Sequence, residues 1–256
     1  MLCCQWEWGA GTSGSASGRL AQFGSADGRT SFAGVGSHAE PWRSFPRLAR
    51  MTSAAAQQPN VLTWAARLAV AGPLLCITLV GLLHFLEPEV NDSDAVSEYA
   101  LGDYGWLMNA AFFSAAAGIG ALAVVLRRSL ARSKTAVAGI ILLSLAAVAW
   151  VLLGAGNIDP EGADMTTHGL IHGIGFLLGL PTRLAAPLVL AAAFHRDERW
   201  ASHRRLTLAL GIAALMAEIG GFSDFASVVT LRLALGLWLV WIALTGARVL
   251  GEGHRL

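Results

Sequence analysis

Charge is scarce in this sequence. Only 14% of its 256 residues are Asp, Glu, Lys or Arg, against about 25% in an ordinary soluble domain. So few charges cannot cover the water-facing surface of a soluble chain of this length. Hydrophobic residues make up 55%, and the mean hydropathy is +0.56. Lipid must be the solvent for much of the protein. Cysteine is scarce too. Of the three, Cys3, Cys4 and Cys76, the last lies inside an apolar stretch, which argues against a disulfide framework or a cysteine zinc site. The adjacent Cys3 and Cys4 are either an incidental pair in a polar tail or a lipidation site. There is no basic run and no basic face interleaved with aromatics, so nucleic acid is not an expected partner. Phosphate-cradling glycine loops, a nucleophile elbow and a haem motif are also missing. An enzyme is the less expected reading.

The chain divides by composition. Residues 1–50 are rich in Gly, Ser, Ala and Arg and hold no sustained apolar run. Such a segment cannot bury enough surface to offset its ordering entropy, and it lacks the apolar core of a secretory signal. Residues 1–60 therefore read as a disordered leader. From Met51 the chain reads as a short polar lead-in to a membrane helix, so Met51 is an alternative start. Residues 61–251 form the membrane domain, and 252–256 a short tail.

A spanning helix needs about 20 mostly apolar residues. Stretches at about 64–86, 104–126, 135–155, 205–221 and 228–249 qualify, 205–221 being short. A further stretch, about 166–194, holds Pro181, Arg183 and Pro187. It reads as one tilted or kinked helix, since prolines are tolerated within bundles. The fold class expected is all-α, a six-helix transmembrane bundle.

The connections alternate in sign. Arg43, Arg47, Arg50 and Arg67 surround the entry to the first helix. Arg127, Arg128, Arg132 and Lys134 mark the second connection; Arg196, Arg199, Arg204 and Arg205 mark the fourth; Arg248 and Arg255 mark the end. The intervening loops carry Glu87, Glu89, Asp92, Asp94, Glu98 and Asp103, then Asp159, Glu161 and Asp164, then Glu218 and Asp224. Basic loops stay in the cytoplasm, so both termini are expected there. Arg183, toward the inner end of the fourth helix, is expected to snorkel to the cytoplasmic surface. Trp106, Trp150, Trp238, Trp241, Tyr99 and Tyr104 read mostly as interfacial belts.

Two acidic loops share a pattern. Glu87-Pro88-Glu89-Val90-Asn91-Asp92 and Asp159-Pro160-Glu161-Gly162-Ala163-Asp164 each follow a helix, with an offset of 72 residues. Helices 1–2 and 3–4 would then be copies of one hairpin. The alternative is that acidic, proline-bearing turns are simply common outside membranes.

A combination of short elements runs through this region. Ser97-Glu98-Tyr99 is followed by Gly102-Asp103-Tyr104-Gly105-Trp106-Leu107-Met108, then Asp159-Pro160, His168 to His172, and Arg232 opening the last helix. Together they resemble the bacterial and archaeal membrane family known as Domain of Unknown Function 998, over about residues 65–250. The resemblance implies a multi-helix membrane protein and no established activity.

Candidate chemistry gathers at the outer helix ends. His168 and His172 are four apart and share a helix face. With Glu98, Asp159, Asp164 and Asp224 they can be drawn as a zinc site with a reactive water, though the adjacent Glu of a metalloprotease helix is missing. The other reading is interfacial histidines hydrogen-bonded to acidic loops. Gly169, Gly173, Gly175 and Gly179 should let the fourth helix approach a neighbour closely. Arg232 is expected to pair with Glu98, Asp159, Glu218 or Asp224. Three functions remain open: a non-catalytic component binding lipid or a protein partner, a small-solute or proton-coupled transporter, and a zinc-dependent membrane hydrolase using His168 and His172. The first is favoured, because the polar groups are few and lie near helix ends. A homo-oligomer stays open.

Overall fold

A computed structural model describes residues 61–91, 95–221 and 227–253. The leader, the Met51 alternative and Asp224 lie outside the described residues. The helices belong to one unit, Ala56–Leu256. They are α1 Val61–Leu86, α2 Gly105–Ser129, α3 Lys134–Ala155, α4 Thr167–His195, α5 Arg204–Gly221 and α6 Ser227–Gly253. Short 3-10 turns lie at Pro88–Val90, Val96–Leu101 and Ala201–His203. No strand occurs among the described residues. Five helices, α1 to α4 and α6, are long and apolar enough to cross a membrane. The shorter α5 has 18 residues and carries Arg204, Arg205 and Glu218.

Each helix packs on its neighbours in sequence, and α6 returns to α1, so the six form a closed ring. Helix α2 also touches α6, and it is the most buried of the spanning helices. Lipid offers no hydrophobic drive between helices, so close approach depends on small residues. A side chain at Gly72 of α1 would strike the Ser114 carbonyl of α2. A methyl group at Gly175 of α4 would sit 2.9 Å from the Ala149 carbonyl of α3, and one at Gly246 of α6 would sit 2.9 Å from Ala69 Cβ of α1. The glycine run of α4 divides its labour. Gly175 and Gly179 face α3, Gly169 packs on the Asp159 carboxylate, and Gly173 has open space beside it.

Helix α4 runs unbroken through Pro181 and Pro187. Thr182 Oγ1 donates to the Leu178 carbonyl at 2.7 Å and contacts that of Gly179 at 3.0 Å. Pro187 has no N–H to give the carbonyl four residues earlier, that of Arg183. The helix thus lacks one backbone bond at the residue that carries its one internal charge.

The loops are fastened at both ends of the bundle. At one end, Asp197 in the α4–α5 loop accepts from the Ala131 N–H at 2.9 Å, and Arg199 Nη2 donates to the Ser129 carbonyl at 2.6 Å. These bonds tie the α4–α5 connection to the α2–α3 connection. At the other end, Glu87 Oε1 accepts from the Tyr104 N–H at 2.6 Å, and Asp159 Oδ2 accepts from the Thr166 N–H at 2.8 Å. Tyr104 caps α2 and Thr166 caps α4. Each acidic residue before a proline therefore clamps the backbone that opens the next helix.

Candidate functional site

Inside the ring, beneath the 95–97 segment, lies a cavity of about 240 Å³. Its wall is mostly apolar and includes Met108 and Phe112 of α2, Trp150 of α3, Phe176 of α4 and Leu235 of α6. Phe112 packs edge-on against both Trp150 and His172, and Trp150 stacks on Trp238 at 5.9 Å. Trp150, Trp238 and Trp241 are buried, so they build the bundle interior, whereas Trp106 is 66% exposed. The belt expected from sequence fails for these three because each faces another helix.

Three polar side chains line the cavity from α4 and α5. His172 Nδ1 lies 2.8 Å from the Gly156 carbonyl and 3.3 Å from that of Leu153. Carbonyls only accept, so Nδ1 carries a proton, and in the neutral ring Nε2 is an acceptor. Deeper, Arg183 Nη2 meets Glu218 Oε2 at 2.6 Å, the two side chains being 16% and 3% exposed. Arg183 Nε has no hydrogen-bond partner among the described residues, and Glu218 Oε2 makes only the ion pair. Arg183 does not snorkel to the surface as expected. It stands sixteen residues after Thr167 and twelve before His195, about 24 Å and 18 Å along the axis, so the ends of α4 lie beyond easy reach. Glu218, offered by sequence as a partner for Arg232, is taken by Arg183.

The remaining candidates do not gather at one point. Asp159 accepts from the hydroxyl and N–H of Thr166 at 2.6 and 2.8 Å. The Thr166 hydroxyl first, then its N–H, hold the Asp159 carboxyl below its ordinary value, and nearby His168 adds to this. His168 itself is exposed. Glu98 is half-buried in the turn Val96–Leu101. Arg232 donates to the Val90 carbonyl at 3.3 Å and lies 5.9 Å from the Tyr99 ring centre. It lines a second cavity, about 260 Å³, between α1 and α6, with His84 and Tyr99. Tyr99 donates to Asn91 Oδ1 at 2.6 Å. Among the described residues, no three His, Cys, Asp or Glu side chains converge to hold a metal ion. One face of α4 carries a signal that sequence reasoning passed over. His172, Phe176, Gly179 and Arg183 are spaced four, three and four apart, one continuous helical stripe.

These features define an all-helical membrane protein with an interior cavity and a buried ion pair at its floor. The chain matches the family model described as Protein of unknown function (DUF998) over residues 70–250, and it belongs to that family. No curated protein and no solved structure matches it.

Proposed function

We propose that this protein is a non-catalytic membrane component whose central cavity binds an amphiphile drawn from the bilayer. The observation that carries this reading is the Arg183–Glu218 pair at the floor of a mostly apolar cavity. Ionisable groups inside a membrane are expensive and usually serve a ligand or ion path. A buried ion pair is weak support for stability, because apolar residues of similar size often do as well or better. Access favours lipid over water. Phe176, on the cavity wall, is 48% exposed. It stands nine residues into α4 from Thr167, about 13 Å below the helix start. A cavity wall exposed at that depth faces acyl chains.

We further propose six spans with both termini in the cytoplasm. Helix α5, with 18 residues, is about 27 Å long, close to the roughly 30 Å hydrocarbon core. The alternation of basic and acidic connections supports the orientation. On a background lacking native cysteines, Ala131→Cys and Glu161→Cys should react with impermeant reagents from opposite sides. Labelling from one side would overturn the topology.

Ligand binding is tested by purifying the protein in lipid nanodiscs and extracting what it retains. The wild type should hold one amphiphile per chain, and a folded Leu231→Trp variant, which fills the cavity, should lose it. Equal retention by both would overturn the reading. A small-solute or proton carrier is the second reading, favoured by the burial of the same pair. It predicts flux in proteoliposomes that a pure binder lacks.

A further inference from the structure

Resting on the reading of the cavity as an amphiphile site, we infer that it takes an uncharged, hydroxyl-bearing head on a single narrow chain. Charge balance comes first. The two formal charges lining the cavity, Arg183 and Glu218, offset each other at 2.6 Å. His172 turns its Nδ1 to a backbone carbonyl at 2.8 Å. An ionic head would bring an uncompensated charge into a region lined by Phe112, Trp150 and Phe176. Burying such a charge costs several kcal/mol in a protein interior.

Hydrogen-bonding capacity comes second. The floor presents a guanidinium whose Nε–H lacks an acceptor among the described residues, beside a carboxylate oxygen held only by the ion pair. Higher on the same α4 face, His172 presents Nε2, an acceptor when the ring is neutral. A hydroxyl both donates and accepts, so it suits either station, after a small side-chain adjustment at the floor. A ketone or ester can only accept and would leave the carboxylate unserved.

Size comes third. A volume of about 240 Å³ is below the usual range of drug-sized pockets. One narrow chain fits and a two-chain lipid does not. The remainder of the chain would lie in the bilayer on the exposed side of Phe176.

The test uses three quenchers with the same mid-chain brominated undecyl tail. Their heads are a hydroxyl, a sulfonate and a trimethylammonium, the last two permanently charged. Saturable quenching of tryptophan fluorescence is measured in nanodiscs, and the Trp150→Phe variant identifies the cavity component. The alcohol should quench Trp150 saturably, with both ionic analogues at least about tenfold weaker. In Glu218→Gln, which leaves the Arg183 charge unbalanced, the sulfonate should overtake the alcohol. A wild-type cavity that binds either ion as tightly as the alcohol overturns the uncharged-head inference and leaves the amphiphile site standing. No saturable Trp150 quenching by any of the three overturns the amphiphile site itself. The wild-type comparison decides even where Glu218→Gln fails to fold.

Discussion

Arg183 of α4 and Glu218 of α5 meet at the floor of the central cavity, Nη2 to Oε2 at 2.6 Å. They join α4 to α5 beside the carbonyl that Pro187 leaves without a helical donor. Removing one partner strands the other as a lone buried charge. Arg183→Met and Glu218→Leu should each lose about 3–5 kcal/mol. The double variant removes both charges and should return to within about 1 kcal/mol of wild type, or exceed it. Unfolding in mixed micelles measures this. A double variant as unstable as the singles would make the pair structural and weaken its assignment to ligand binding.

Helix α4 offers a second test, in two glycines of the same stretch. A methyl at Gly175 would crowd the Ala149 carbonyl and the Leu153 N–H of α3 at 2.9 and 3.0 Å, while Gly173 has nothing within 4 Å. Gly175→Val should lower stability by about 1–3 kcal/mol through overpacking. Gly173→Val should change it by no more than about 0.5 kcal/mol. Thermal midpoints in detergent separate the two, and equal losses would refute the assignment of the α3–α4 seam.

That contrast shows where sequence reading stops. The helices were legible because hydrocarbon-length apolar runs have few alternative explanations, and α3 carries no charge after Lys134. Rotation about each helix was much less legible. Gly173 and Gly175 are indistinguishable by composition, and only the partner helix decides which one is crowded. Arg183 misled for the same reason. Its distance from the inner loop invited snorkelling, but its partner lies 35 residues away on α5. The stripe His172, Phe176, Gly179 and Arg183 was readable, because its spacing needs no partner to be recognised. The tryptophans of α6 were misread because a belt and a core position can share the same sequence depth.

The acidic-proline loops make a third prediction. Asp159 is tied to Thr166, and the hydroxyl of Thr166 also accepts from the Gly169 N–H at 3.1 Å. Hydrogen bonds from Thr166 hold the Asp159 carboxyl below its ordinary value. A depressed carboxyl stabilises the fold above its unfolded value, about 3.9, and that contribution fades as pH falls through the folded value. Protection of the Thr166 amide, corrected for intrinsic exchange, should therefore drop only below about pH 4. Asp159→Asn should remove the pH dependence. Glu87→Gln should loosen the Tyr104 amide at the matching place in the first hairpin, and by more, since Glu87 is buried. An unchanged Tyr104 amide in Glu87→Gln would end the equivalence of the two loops.

The opposite end of the bundle holds a pH-sensitive contact. His203 is buried, with Nε2 3.1 Å from Thr245 Oγ1. Thr245 spends its only hydrogen on the Trp241 carbonyl at 2.7 Å, so His203 Nε2 must be the donor. The ring is flanked by Phe194 and Trp200, and Arg248 lies over Trp200 at 5.2 Å. Burial first, then the Arg248 charge, push His203 from 6.5 down to about 4. The unfolded chain thus takes up this proton near 6.5 while the folded chain resists it until about 4. Between those values the unfolded state binds more protons, so stability rises with pH. The contribution is complete above the upper value and is lost progressively toward the lower. The wild-type thermal midpoint should fall as pH is lowered from about 7 to about 5. His203→Gln keeps an N–H donor and cannot titrate, so its midpoint should stay nearly flat over that range. A variant that falls in parallel with the wild type would assign the acid sensitivity to another group.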